Sequence, residues 1–221
     1  MTRTKLKKFK KLKEMKHVIQ PIRDELLTNN FTLKGNWQKK FNNDKPIILE
    51  LGCGKGEYVV NLAKKQPEYN YIGIDIKGAR IFSGAQNVID NQLDNVLFVR
   101  TQIEYIDSIF SNNEIHEIWI TFPDPQMKFN RRKKRLTYPS MLDKYKKILK
   151  REGVVNLKTD SMFLHGYTLG VLEQGPYSII TAMHDIYNNY YEDERLNIKT
   201  HYENLFLAKN QPISYLSFSF N

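Results

Sequence analysis

Between residues 47 and 157 short apolar runs alternate with segments of helical periodicity, the pattern of an α/β protein. The expected fold is a Rossmann-like, mostly parallel sheet with helices on both faces. Three observations carry it. Ile47–Leu51, Tyr71–Asp75, Val96–Val99, Ile115–Phe122 and Val154–Leu157 are short and apolar, as buried strands are. Between them, Tyr58–Lys65, Gly78–Asn91 and Tyr138–Lys150 repeat apolar residues at spacings of three and four. Glu50, Asp75 and Asp124 all stand at strand ends, where open parallel sheets bind ligands.

Taken in order, residues 1–20 are basic, with Leu6, Phe9, Leu12 and Met15 at every third position. They read as a tail, either mobile or folding into a short amphipathic helix on binding. Residues 21–221 form the single domain, and its mixed first stretch closes at Pro46. Gly52–Gly56 makes a tight turn after the first strand, and Pro67 ends the first helix. The third helix carries Met141, Leu142, Tyr145, Ile148 and Leu149 on one side, with Gly153 as its terminator. Met162–Glu173 is a further helix. Tyr177–Met183 and Ile213–Phe220 are strand-like and pair as the last two strands.

The chain has 221 residues, 41% of them hydrophobic, enough for one full core. Its formal net charge is +10, unevenly spread: residues 1–16 hold eight lysines and arginines against one glutamate. A basic tail and a second basic run on a nearly balanced body point to nucleic acid or another anionic surface. The plainer alternative is a solvated face. A single cysteine, Cys53, excludes an intramolecular disulfide and fits a reducing compartment. No run approaches the roughly 18 apolar residues of a membrane span, and no apolar segment follows the charged N-terminus. The expected location is the cytoplasm, with no membrane partner.

Gly52, Gly54 and Gly56 let the backbone turn sharply and approach a ligand. Asp75, at the tip of the next strand, can accept two ribose hydroxyls. The spacing departs from the dinucleotide fingerprint Gly-x-Gly-x-x-Gly, because Glu57 fills the third glycine's place. Glu50, just before the turn, would repel a pyrophosphate. It suits a ligand bearing an ammonium and a sulfonium, which favours S-adenosyl-L-methionine over NAD. The alternative is a tight turn with no ligand. Cys53 has no evident activating partner and reads as a packing residue.

The run Ile120–Tyr138 holds Asp124 between Pro123 and Pro125 and then six cations from Lys128 to Arg135. The prolines restrict the backbone around the acid; the plainer reading is ordinary turn chemistry. Aromatics are sparse among the cations, so contact with an RNA backbone is favoured over sequence readout. Five scattered histidines show no metal-ligand spacing, and no metal is expected.

With these segments in view, the chain resembles the bacterial tRNA (guanine-N7-)-methyltransferases. The resemblance is carried by Leu49–Gly56, Tyr71–Asp75, Phe122–Pro125 with Lys128, Lys133–Thr137, Leu157–Asp160 and Thr200–Glu203, in order from about Gly35 to the C-terminus. It implies a class I methyltransferase sheet of seven strands, the last antiparallel, with tRNA as partner to a monomer or homodimer. Glu50, Gly52, Gly54, Gly56, Asp75, Gln102 and Asp124 would form the cofactor site, with Asp124 the acid at the reaction centre. Lys128, Asp160, Thr200, Tyr202 and Glu203 would contact the substrate guanosine, which lies in the variable loop. Asn130, Arg131, Arg132, Lys133, Lys134 and Arg135 would lie along the RNA.

Two positions depart from the family. Gln102 stands where an acid is usual near the adenine, although its carbonyl can still accept from an amino group. Gln126 replaces the tryptophan common after Pro-Asp-Pro. The chemistry is coherent with the residues. Guanine N7 has a free lone pair and no proton, so no general base is needed and catalysis is positioning and electrostatics. Two rivals follow: an amino-methyltransferase acting on another base or protein, and a non-catalytic RNA-binding protein. The first often carries an Asn/Asp-Pro-Pro-aromatic tip, which Phe122–Gln126 lacks. The intact acids Glu50, Asp75 and Asp124 argue against the second.

Overall fold

The computed structural model of the chain describes residues 10–188 and 191–221. One sheet is built from β1 (Val18–Ile19), β2 (Ile47–Leu51), β3 (Asn70–Asp75), β4 (Val96–Arg100), β5 (Ile115–Thr121), β6 (Leu149–Thr159), β7 (Tyr177–Met183) and β8 (Ser214–Phe220). Its order is β1-β4-β3-β2-β5-β6-β8-β7. All pairings are parallel except β8, which runs antiparallel to both β6 and β7. The helices are α1 (Arg23–Leu27), α2 (Trp37–Phe41), α3 (Glu57–Lys65), α4 (Gly78–Asp90), α5 (Ile106–Ile109), α6 (Pro139–Ile148), α7 (Met162–Glu173) and α8 (His201–Leu207).

Strand alternation divides the core into two layers. On β2, Ile47, Leu49 and Leu51 join one cluster with Ile118, Ile120, Tyr145 and Leu157. Ile48, between them, joins the other with Tyr58, Val59, Tyr71, Phe98 and Trp119. Each such apolar side chain stabilises the fold by about 1.5–3 kcal/mol on burial. From β2 the chain steps outward through β3 to β4, then crosses back to β5 on the other side of β2, so strand order reverses at β2. A cleft opens there at the carboxyl ends of the strands. α3 lies against this reversal because Tyr58, Val59, Val60, Leu62 and Ala63 bury one side. α6 starts with Pro139, whose missing N–H costs nothing in a first turn.

The mixed segment before Pro46 is well packed. Trp37 is fully buried, donates from Nε1 to the Ile109 carbonyl at 3.1 Å, and lies 5.4 Å from the Phe110 ring.

The seven expected strands are present, and three features go beyond the expectation. First, β1 adds a two-residue edge strand on β4. Secondly, the described part of the basic N-terminal stretch packs on the body. Residues 10–14 are helical, Leu12 is fully buried, and His17 Nδ1 bonds the Val96 carbonyl at 3.3 Å. Leu6 and Phe9 lie outside the described residues. Thirdly, Gly153 does not end a helix. α6 stops at Ile148 and β6 begins at once; its pairing with β5 jumps from Leu149 to Val154, so residues 150–153 form an excursion. A Cβ on Gly153 would come within 2.8 Å of Leu149, which explains the glycine by space.

Candidate active site

The cleft is lined by Glu50, the glycine turn, Tyr58, Arg80, Thr121, Phe122 and Thr200–Tyr202. The turn is tied to the neighbouring strand: the N–H groups of Gly52 and Cys53 both donate to the Ile74 carbonyl, at 2.8 and 3.0 Å. Gly52, Gly54 and Gly56 have φ of 76°, 56° and 70°, conformations that favour glycine. A Cβ at Gly52 would meet nothing within 4 Å, so the turn borders open space that a ligand can fill.

Glu50 is buried at the floor of this space. Its Oε1 accepts from Thr121 Oγ1 at 2.6 Å and its Oε2 from the Val59 N–H at 3.0 Å. Burial pushes its carboxyl up to about 8; the two hydrogen bonds pull the other way, and Asp75 and Glu57 add to the rise. A buried carboxyl poised in this way accommodates a ligand cation, which would hold it ionised. Asp75 Oδ2 accepts from the Gly54 N–H at 3.0 Å and Oδ1 from the Lys77 N–H at 2.7 Å. Each oxygen keeps a lone pair for a hydroxyl donor. These residues fit S-adenosyl-L-methionine: a carboxylate for the ammonium end, a second for the ribose, and a bare turn between. Gln102 stands exposed just past β4.

Cys53 is accounted for by packing. A Cβ on Gly73 would come within 2.9 Å of its Sγ, so the thiol fills the place of a side chain on β3. Burial pushes the thiol well up, away from a reactive thiolate.

One wall of the cleft is the strap leading into α8. Thr200 caps that helix by accepting from the Glu203 N–H at 3.2 Å. The His201 N–H donates to Glu57 Oε2 at 2.6 Å, and Arg80 Nη2 donates to Tyr202 Oη at 3.1 Å. Thr200 is buried and Tyr202 exposed. Glu203 points inward with 0% side-chain exposure. Lys158 Nζ, equally buried, lies 2.7 Å and 2.9 Å from its two oxygens. Lys158 also donates to the Leu196 and Ile198 carbonyls at 2.7 and 3.1 Å, and Tyr187 Oη donates to Glu203 Oε1 at 2.6 Å. Burial lowers the Lys158 ammonium from the usual lysine range, and Glu203 opposes that. Glu203 therefore holds the strap in place from below.

At the end of β5 the Asp124 loop is backbone-strained. Phe122 and Gln126 have φ of 48° and 46°, each costing roughly 1–2 kcal/mol for a residue with a Cβ. The Phe122 N–H donates to the Lys158 carbonyl at 2.8 Å. Asp124 is exposed, and its Oδ1 accepts from the Gln126 N–H at 3.0 Å. Asp124 stands beside the cleft and not among its lining residues. Asp160, half-buried at the end of β6, has its carboxyl pushed up by burial.

The basic run forms a short 3-10 helix, Phe129–Lys134, led by Lys128. Lys128, Asn130, Arg131, Lys133 and Lys134 are exposed; Arg132 is half-exposed and lies 4.0 Å from the Phe129 ring centre. Arg135 differs. It is buried, at 5% exposure, and its guanidinium is engaged by the protein, so the phosphate contact expected for it is not open in this structure.

Residues 44–216 match the family model Methyltransf_4, described as "Putative methyltransferase". A curated tRNA (guanine-N(7)-)-methyltransferase of Christiangramia forsetii is 53% identical over 219 residues, 98% of each chain. The chain belongs to the tRNA (guanine-N7-)-methyltransferase family. A relative of the same name from Bacteroides fragilis is 41% identical, over 99% of this chain and 86% of its own. Among solved structures, the 16S rRNA methyltransferase KamB superposes with a TM-score of 0.64 at 13% identity, covering 85% of this chain and 93% of that one. An S-adenosylmethionine-dependent methyltransferase from Aquifex aeolicus gives 0.56 at 14%, covering 96% and 98%. At these identities the likeness is one of fold, the class I methyltransferase fold.

Within this family member, sequence reasoning missed Thr121, Arg80, Glu57 and Lys158. Thr121 and Lys158 sit in strands, and an inward-facing polar residue in a strand is the signal that could have found them. Arg80 and Glu57 acquire their roles only through Tyr202 and His201, far along the chain.

Proposed function

We propose that this chain transfers the methyl group of S-adenosyl-L-methionine to N7 of a guanosine in the variable loop of tRNA, forming 7-methylguanosine. The carrying observation is a cleft floored by the buried Glu50 that opens beside an acid loop and an exposed basic helix. The nucleoside and its place in tRNA come from the relatives' name and the sequence resemblance.

The cofactor supplies an electrophilic methyl on a sulfonium. Glu50 holds its ammonium end, Asp75 its ribose hydroxyls, and Gln102 its adenine. Glycines 52, 54 and 56 let the backbone lie against it. Thr200 and Tyr202, with Lys128 and Asp160, receive the guanosine, and Glu203 keeps Thr200 in place. Asp124 keeps Oδ2 for the guanine; its charge offsets the positive charge that develops on the purine, or fixes its amino edge. No residue needs to remove a proton from N7. Lys128, Asn130, Arg131, Arg132, Lys133 and Lys134 meet the RNA backbone, each neutralised phosphate steepening the salt dependence by about 0.7–0.9.

The reading assigns residues 21–221 to one catalytic domain with residues 1–20 as a basic extension. It places a monomer or homodimer in the cytoplasm with its tRNA. Among the described residues no helix is long and apolar enough to cross a membrane.

Unmodified tRNA incubated with labelled S-adenosyl-L-methionine should yield labelled 7-methylguanosine on nucleoside analysis. No label, or label on adenosine, refutes the assignment. Asp124→Ala should keep tRNA affinity within about tenfold and lose about 100-fold or more in turnover. Unchanged turnover would remove Asp124 from the mechanism.

A further inference from the structure

We infer that Arg135 is a positioning residue for Asp124 and not a phosphate contact: it locks the left-handed turn at Gln126 that holds the acid. The inference rests on Asp124 being the acid of the methyl-transfer site.

Of the six cations from Lys128 to Arg135, Arg135 alone is buried. Its Nε and Nη2 donate to the Gln126 carbonyl at 3.3 and 3.2 Å. Its guanidinium carbon lies 4.2 Å from the Tyr167 ring centre and 4.8 Å from that of Phe163, both on α7. Gln126 in turn donates its N–H to Asp124 Oδ1 at 3.0 Å while held at φ 46°. The chain of contacts runs from α7 through Arg135 and Gln126 to Asp124.

The chemistry of the guanidinium explains the residue type. Two donors fork onto one carbonyl while the planar face stacks on aromatic rings. A lysine ammonium has no plane to stack and no fork. At 5% exposure, with Nε and Nη2 turned to the Gln126 carbonyl, little of Arg135 is left for a phosphate. The Gln126 contact also closes a loop whose eight intervening residues, 127–134, hold the other five cations. The RNA grip and the acid are thereby joined as one unit, and Arg135 is its clasp.

The test compares wild type, Arg135→Gln and Tyr167→Leu. It uses the salt dependence of tRNA binding, steady-state methyl transfer, cofactor affinity and thermal stability, with assays run below each variant's melting range. Both variants should keep the wild-type salt slope; in Arg135→Gln, which removes the charge, a lost phosphate contact would flatten it by about 0.7–0.9. Cofactor affinity and tRNA KM should stay within about threefold while kcat falls about tenfold or more, since displacement of a reacting group by about 1 Å can cost about 100-fold. Tyr167→Leu keeps the charge and removes only a stacking face, so it answers even if Arg135→Gln does not fold. A flattened slope with kcat retained in Arg135→Gln would make Arg135 a phosphate contact and overturn the inference. So would wild-type kcat in both variants, or a kcat loss that merely tracks lost cofactor binding. If wild type itself makes no 7-methylguanosine, the proposed function fails, and this inference with it. A failure confined to the variants leaves that function standing.

Discussion

Replacing Glu50 by Gln tests the electrostatics of the cleft. In the folded, ligand-free protein burial raises this carboxyl to about 8, against 4.5 for an unburied one. The folded state therefore binds a proton across a window in which the unfolded chain has lost it. The resulting stability is fully present below pH 4.5 and is lost as the pH rises toward 8. Between pH 5 and pH 8 the wild type should lose about 3.5 kcal/mol relative to Glu50→Gln, an order-of-magnitude figure from this linkage. The amide can keep both contacts by turning its carbonyl to the Val59 N–H and its NH2 to Thr121 Oγ1, and any cost of the exchange is independent of pH and drops out of the slope. Urea unfolding of both proteins at pH 5, 6, 7 and 8 measures the gap. A gap that stays constant within about 1 kcal/mol across that range would refute the reasoning. The same physics reaches the ligand. A cation beside Glu50 favours its ionised form, so binding S-adenosyl-L-methionine below pH 8 should release a proton. Calorimetry in buffers of different ionisation enthalpy should detect the release in wild type and not in Glu50→Gln.

Two further outcomes are expected. Lys158→Met leaves Glu203 buried without its cation and should cost about 3–5 kcal/mol in urea unfolding, most of it recovered when Glu203 is also made Leu. A loss below about 1 kcal/mol would mean that the strap does not depend on the pair. Replacing Arg131, Lys133 and Lys134 together by Gln should flatten the salt slope of tRNA binding by about 2–3, read from binding isotherms at several salt concentrations. An unchanged slope would mean that this face does not meet the phosphates.

Much of the fold was legible in the chain because its signals are local. Strands Ile47–Leu51 and Tyr177–Met183 and helix Met162–Glu173 emerge with the bounds that apolar spacing and flanking turn residues set. The misses share a cause, since each depends on what a segment packs against. Residues 10–20 look like a soluble tail by charge, yet Leu12 finds a buried place and Val18–Ile19 an open edge on β4. Gly153 looks like a helix terminator, yet its lack of a side chain is used to clear Leu149.

The candidate site divides in the same way. The glycine turn and the acids Glu50, Asp75 and Asp124 could be placed from sequence, because each lies at or just past the end of a recognisable strand and strand ends face the ligand side of a parallel sheet. Backbone periodicity settles where a residue stands along an element. It does not settle which residue another part of the chain brings against it. The tertiary structure alone decided that Glu203 turns inward to Lys158. It likewise decided that Glu57 and Arg80 hold the strap, and that one arginine of a run of cations is buried against two rings of one helix. Charge in a sequence is only a count; whether a cation is free for a phosphate depends on the carbonyl and aromatic faces that folding places beside it.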